Sequence, residues 1–258
     1  MAKPFHIACF AAVVMLALTA CSTGTTTDTS TPSSAPSSTP TPTVTTPAVT
    51  TPTAVPPSTP PAATARTVAN LTKALLALAD LPAGFSLEKD DSSDGADVAV
   101  SSKDSRCAKL VAYTNADNPP GSKASASQSY SGGAQGPFID ESIDAMASPA
   151  AVRTLQKSFK QAVAACRTMT LKIPGEGSSP ISVRPVSAPQ AGTDPVAVRF
   201  TATSGPLEGF EVTMVTTGID DVVLAITVIN GLPEDIDGAT TTAVEKAQDA
   251  LGATQSGT

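Results

Sequence analysis

An unbroken apolar run from Ile7 to Leu18 opens the chain and ends in Leu18-Thr19-Ala20-Cys21. From Ser22 to Thr64 the apolar pattern disappears, and it resumes near Thr67, where Leu71, Ala74, Leu75 and Leu78 recur at helical spacing. Leu81-Pro82 forbids continuation of that helix, and Leu81-Pro82-Ala83-Gly84-Phe85 reads as a turn into a strand carrying Phe85 and Leu87. Asp90 to Asp97 is a polar, acidic loop. Lys123 to Ser131 and Phe138 to Met146 read as strands, the first with the weaker pattern. The most regular helix follows, with Ser148 as cap, Pro149 at the first position and Val152, Leu155, Phe159, Val163 and Cys166 as its apolar stripe. The period then changes to two through Ile181 and Val183, through Val196, Val198 and Phe200, and through Phe210, Val212 and Met214, and ends in a nearly continuous apolar run from Val222 to Ile229. These are four strands, joined as antiparallel hairpins at Gly205-Pro206 and around Gly218 to Asp221, with the last one central and covered on both faces. After Leu232-Pro233 a terminal helix carries Ile236, Ala239, Ala243, Ala247 and Leu251, and Gly252 ends it. The pattern predicts an α+β domain, an antiparallel sheet with helices packed on one face.

The opening run is too short for the roughly 20 apolar residues of a spanning helix, and Lys3 ahead of it supplies the positive flank of a secretory signal. Leu-Thr-Ala-Cys fits a bacterial lipobox, in which small residues admit the signal peptidase and the Cys21 thiol takes a diacylglycerol; the competing reading is an ordinary secretory signal with an incidental cysteine. The organisation is therefore a signal peptide at 1–20, a lipidated Cys21 and linker at 21–66, a folded domain at 67–252 and a tail at 253–258. The linker is built almost wholly from Thr, Ser, Pro and Ala, with Asp28 its only charged residue between Ser22 and Thr64. Such a chain favours polyproline II at about 3.1 Å per residue and resembles both O-glycosylated stalks and plain disorder.

Charge and composition narrow the partners. The formal charge of -7 becomes one unit more negative when Lys3 leaves with the signal, so nucleic acid is not an expected partner. An acidic domain gains nothing from an anionic membrane surface either, which leaves the N-terminal lipid as the membrane contact. Aromatics make up 3% of the chain and Trp is absent, which weakens any argument for a stacking platform for bases or sugars. Cys9 leaves with the signal and Cys21 is lipidated, so Cys107 and Cys166 remain to pair in an oxidising compartment. A nucleophilic or metal-binding thiol would need His or further Cys beside it, and the one histidine, His6, lies in the signal. Asp90, Ser92, Asp94 and Gly95 match the first half of a calcium loop, but Ser101 occupies the position of its bidentate Glu and Asp97 that of its apolar anchor, so a solvated loop and no metal are expected. Ser86-Leu87-Glu88-Lys89 matches Ser-x-x-Lys without the companion elements of that chemistry, and no phosphate loop is present. Neither catalysis nor a cofactor is expected. Arg153, Lys157, Lys160 and Arg167 give the long helix a cationic surface on an acidic protein, either as a solvated face or as a site for an anionic ligand.

Four segments in order carry a resemblance: Arg106 to Thr114, then Ser142 to Ala147 with the helix ending in Ala165-Cys166, then Gly209-Phe210-Glu211, then Asp221-Val222-Val223-Leu224. From Leu71 to Leu251 the chain resembles the extracellular sensor domain of mycobacterial PknH-type receptor serine/threonine kinases, a domain that also occurs alone in actinobacterial lipoproteins. Ala165 stands where that family commonly has Trp, and Val212 and Asn230 stand where it has a second disulfide. The resemblance implies a cleft between a curved antiparallel sheet and two main helices, and a binding module rather than an enzyme. Two functions follow: a module binding a small or polymeric envelope ligand, or a scaffold docking another envelope protein. Replacing Cys21 by Ala is expected to release the domain or leave an uncut precursor. Fatty-acid labelling with detergent partitioning checks this, and a labelled mature variant would contradict the anchor.

Overall fold

The structure, a computed structural model, describes residues 65–88 and 98–252. The signal, Cys21, all but the last two residues of the linker, Lys89, the acidic loop to Asp97 and the tail at 253–258 lie outside the described residues.

The first helix, α1 (Val68–Ala74), is capped by the Thr67 hydroxyl, which accepts from the Asn70 amide. It ends one turn earlier than its apolar spacing predicts. Leu75 turns extended, Leu78 to Asp80 form a single 3-10 turn, and Leu78 is left 40% exposed. Tertiary hydrogen bonds replace the helical ones: the Leu76 amide donates to Glu141 Oε2 at 2.7 Å, and the Leu76 carbonyl accepts from the Tyr130 hydroxyl at 2.6 Å. Extended chain here also seats both Leu75 and Leu76 in the core.

Short β1 (Ser86–Leu87) and β2 (Ala99–Ser101) precede α2 (Ala108–Thr114), a seven-residue helix that the apolar spacing does not announce. The expected strands β3 (Ala124–Ser131) and β4 (Phe138–Ala145) pair as an antiparallel hairpin, and α3 (Pro149–Ala165) begins at the expected Ser148 cap, whose hydroxyl accepts from the Ala151 amide. Five strands follow rather than four: β5 (Thr168–Ile173), β6 (Gly177–Val186), β7 (Thr193–Ala202), β8 (Glu211–Ile219) and β9 (Val222–Ile229). The extra one, β5, carries Met169, Leu171 and Ile173 in period two directly behind the long helix. The chain closes with α4 (Pro233–Leu251), ended by Gly252 in the left-handed conformation at φ 63°. The turn expected in the stretch around Gly218 to Asp221 falls at Asp220 and Asp221, with Asp220 at φ 50°, and Gly218 itself lies inside β8.

Among the described residues nine strands form one sheet in the order β1-β3-β4-β9-β8-β7-β6-β5-β2, every pairing antiparallel; β9 lies inside the sheet as its apolar run predicts, but it is not covered on both faces as expected, since Ala225 and Thr227 on one face are half-exposed. The α+β class, the antiparallel sheet and the single disulfide agree with the sequence. The helices, however, lie on both faces of the sheet rather than one. Paired residues of neighbouring strands share a face. Val222, Leu224, Ile226 and Val228 of β9 join Val215 of β8 in a core with α1 and α4, including Leu71, Ile236, Ala243 and Leu251. The alternate residues of the sheet meet α3: Val196, Val198 and Phe200 of β7 pack with Phe159 and Val163. An apolar stripe states that a helix is covered, not which side of the sheet covers it. Gly218 permits the close approach of α3, since a Cβ there would lie 2.7 Å from Val152 Cγ1.

Cys107 and Cys166 form the expected disulfide, with Cα atoms 4.6 Å apart and both residues fully buried. It ties the turn before α2 to the residue that caps α3, closing a loop with a sequence separation of 59 residues. Loop closure of that length restricts the unfolded chain by roughly 4 kcal/mol. Cys107→Ser and Cys166→Ser should each lower stability by about 2 to 5 kcal/mol, and the double variant by little more, in denaturant titrations. Two thiols free to alkylation in the native protein would contradict the pairing.

Candidate functional site

Beyond the edge of α3, the same sheet face continues across β9, β4 and β3 and forms the floor of a cavity of about 330 Å³. Strand register lays this floor out in rows. Ser129, Asp140, Thr227 and Met214 form one row, and Ser127, Ser142, Ala225 and Thr216 the next. Ser125, Asp144, Val223 and Gly218 follow in the third row, with Asp144 and Val223 on the cavity lining. The β3 sequence Ala-Ser-Ala-Ser-Gln-Ser-Tyr-Ser explains the floor's polarity: in a strand, serines at every second position share one face, here opposite the face that buries Ala126 and Tyr130.

The walls come from α2 and α3. The Tyr113 hydroxyl lies 2.7 Å from Ser158 Oγ, and its ring meets Phe159 edge-on with centroids 5.8 Å apart, so both aromatics are fixed against each other at the cavity. Gln156, 2% exposed, ties wall to floor: its Oε1 accepts from the Thr216 hydroxyl at 2.9 Å, and its Nε2 donates to the Asp194 carbonyl at 3.4 Å. Asp144 is also nearly fully buried and accepts from the Ser122 hydroxyl at 2.8 Å. Burial pushes its carboxyl above the usual range, and hydrogen bonds from Ser122 and Ser125 oppose that only in part. At the outer edge the Glu88 carboxyl is raised by its own burial and then by the Asp140 charge beside it.

Three of the four cations read from the sequence converge elsewhere. Arg153, Lys157 and Lys160 line a separate groove of about 340 Å³ with Gln156, Asp194, Pro195 and Val196. All three are exposed, and among the described residues none forms a salt bridge. Arg167 lies past the helix end and is not on that groove; its carbonyl accepts from the Val183 amide at 2.8 Å. Gln156 lines both concavities, so a polar cleft and a cationic groove flank one buried amide. The cleft residues on β3 and β4 were not singled out from the sequence, although the serine alternation was there to be read. Ser86 sits on β1, and its Ser-x-x-Lys partner Lys89 is outside the described residues. Among the described residues no group of three or more His, Cys, Asp or Glu could hold a metal ion.

On the opposite face Glu141 is 1% exposed, held by the Leu76 amide, with Oε1 lacking a hydrogen-bond partner. Burial pushes its carboxyl up to about 7, against the Leu76 bond and the Lys246 charge, while the Asp80 charge adds to the rise. Lys246 of α4 is itself paired with Asp80, so the buried carboxylate has no cation of its own.

Comparison with solved structures finds the crystal structure of the extracellular domain of PknH from Mycobacterium tuberculosis, at 15% identity and a TM-score of 0.54 over 73% of this chain and 97% of that one. No family model matches the sequence, and no curated protein matches it. At this identity the likeness is one of fold, and the chain has a PknH-like sensor-domain fold. Val212 and Asn230, where the resemblance places a second bridge, lie at the same end of the β8–β9 pair: Val212 pairs with Ile229, and the Asn230 amide donates to the Glu211 carbonyl. Among the described residues no helix is long and apolar enough to cross a membrane.

Glu141 makes a pH prediction. Its folded value lies above the ordinary 4.5, so the stability it contributes is fully present below about 4.5 and is lost as pH rises toward and past about 7. The loss is on the order of 3 kcal/mol. Melting temperatures of Glu141→Gln, measured against the wild type from pH 5 to 8, should show the variant gaining on the wild type as pH rises; parallel curves would contradict the burial argument.

Proposed function

We propose that this chain is a lipid-anchored, extracytoplasmic, sensor-like module that binds a component of the cell envelope in the cleft between α3 and the sheet, and that it carries out no catalysis. The observation that carries the proposal is the cleft itself: a cavity of about 330 Å³ whose floor is polar while its rim is aromatic and aliphatic. Convergent polar groups in a concave, partly apolar site are the usual form of a ligand pocket. The lipobox at Cys21 supports the anchor, the linker of 21–66 supports a domain held away from the membrane surface, and the likeness to the extracellular domain of PknH supports the sensor reading. The groove formed by Arg153, Lys157 and Lys160 is a subsidiary site for an anionic envelope component, since unpaired cations supply charge-assisted donors. Arg167 has no part in it.

The test is affinity capture from envelope extract on immobilised domain. Ser127→Phe places a large ring on the cavity floor, at an exposed strand position that tolerates it. It should abolish capture of the cleft ligand while the melting temperature stays within about 2 °C of wild type. Lys157→Glu with Lys160→Glu should leave cleft capture intact and remove only the salt-sensitive anionic component. Unchanged capture by the Ser127→Phe variant would overturn the cleft reading, and a captured protein retained by both variants would favour the scaffold function instead.

A further inference from the structure

The lining of the cleft specifies the class of ligand, an inference that rests on the cleft being the binding site. Among the described residues its polar groups are of two kinds only, carboxylates and neutral hydrogen-bonding groups, and neither Lys nor Arg lines it. Asp117, Asp140 and Asp144 bring negative charge to one small concavity, and Asp144 is buried and held in place by Ser122. Between them stand the hydroxyls of Ser127, Ser129, Ser142, Thr216 and Thr227. A phosphorylated or carboxylated ligand entering here would meet like charge at short range with no cation to offset its lost hydration. The anionic readings therefore belong to the groove on the far side of Gln156, and the cleft selects the opposite character.

Spacing narrows the class further. Side chains on one face of a sheet repeat about every 4.8 Å across strands and about 6.6 Å along them. The floor is thus a grid of hydroxyl and carboxylate groups at separations that suit a small ring bearing hydroxyls around its rim, each hydroxyl able both to donate and to accept. Carboxylates accept strongly from hydroxyls and ammonium groups. Leu155, Phe159, Tyr113 and Met214 give the same cavity an apolar side for the ring's C–H faces, placing one of the chain's two tyrosines at this spot. The volume of about 330 Å³ sits at the small end of ligand pockets, which limits the occupant to one or two rings.

We infer that the cleft binds a neutral or positively charged sugar unit, whose hydroxyl or ammonium groups donate to Asp140 and Asp144 and exchange hydrogen bonds with Ser127, Ser129, Ser142 and Thr227. The scarcity of aromatics does not oppose this, because recognition runs through the hydroxyl grid and needs only one apolar wall. Asp140 is the residue to vary: it is exposed, carries no structural hydrogen bond among the described residues, and lies in the outer row of the grid between Ser129 and Thr227.

Three probes of one ring size separate the possibilities by NMR titration of the folded domain: glucosamine, N-acetylglucosamine and glucose 6-phosphate. Glucosamine and N-acetylglucosamine should shift the backbone amides of Ser127, Asp140 and Thr227, and glucose 6-phosphate should bind at least about tenfold more weakly. Salt should weaken glucosamine alone. Asp140→Asn should reduce glucosamine affinity about tenfold without changing the melting temperature, as expected for losing one hydrogen bond to a charged group. Glucose 6-phosphate binding as tightly as glucosamine, or an Asp140→Asn variant of unaltered affinity, would overturn the charge assignment and leave the cleft standing. No shift in the cleft with any of the three would overturn the sugar assignment, whereas the cleft reading itself fails only if Ser127→Phe captures normally from envelope extract.

Discussion

One helix cannot cover a wide sheet, and the site follows from that limit. Nine strands at about 4.8 Å spacing extend on the order of 40 Å across, whereas a packed helix covers about 10 Å. On one face α1 and α4 share the task and bury Leu224, Ile226 and Val228 of the central strand. On the other, α3 lies over the β6 to β8 side and reaches β9 only near Val223. Ala225 and Thr227, one and two rows further along, are half-exposed and line the cavity. A sheet face left uncovered must be polar or be occupied. Here it is polar, through the serines of β3 and the aspartates of β4.

The cleft keeps its shape because its wall is fastened at several points. The disulfide joins the segment before α2 to the end of α3, and the Tyr113 hydroxyl meets Ser158 in the middle of that helix. Gln156 then fastens α3 to the floor through Thr216 and to the β7 side through the Asp194 carbonyl. A buried amide bonded at both ends positions its helix more sharply than apolar contact does, because leaving either end unpaired costs its desolvation. The same amide separates two concavities of opposite character, with acidic and neutral groups on one side of it and three cations on the other.

The opposite face carries a polar commitment of its own. Glu141 sits in an otherwise apolar core, and the group it holds is the Leu76 amide, in the first segment the domain contributes after the linker. Arg66, immediately before α1, donates to the Leu251 carbonyl at the end of α4 and pairs with Asp221 at 2.8 Å. The start of the domain is thus pinned to its last helix and to the β8–β9 turn.

Local periodicity carried much of this structure in the sequence. The Ser148 cap, the α3 stripe, the central β9 and the pairing of the last two cysteines follow from spacing and chemistry that any isolated segment displays. The serine alternation of β3 was equally local. What spacing cannot carry is relative placement. Leu78 has the right interval for a helix, yet the chain leaves the helix at Leu75 because Glu141 and Tyr130, more than fifty residues away in sequence, take the hydrogen bonds of Leu76. The stripes of α3 and α4 read alike, yet the strands' register sends them to opposite faces. Arg153, Lys157 and Lys160 were legible as one helix face, but only folding set Asp194 beside them and put Asp140 and Asp144 in a different concavity. A stripe or a cap depends on neighbours a few residues apart, whereas a site depends on which faces are left uncovered when distant elements pack, and that is settled only in three dimensions.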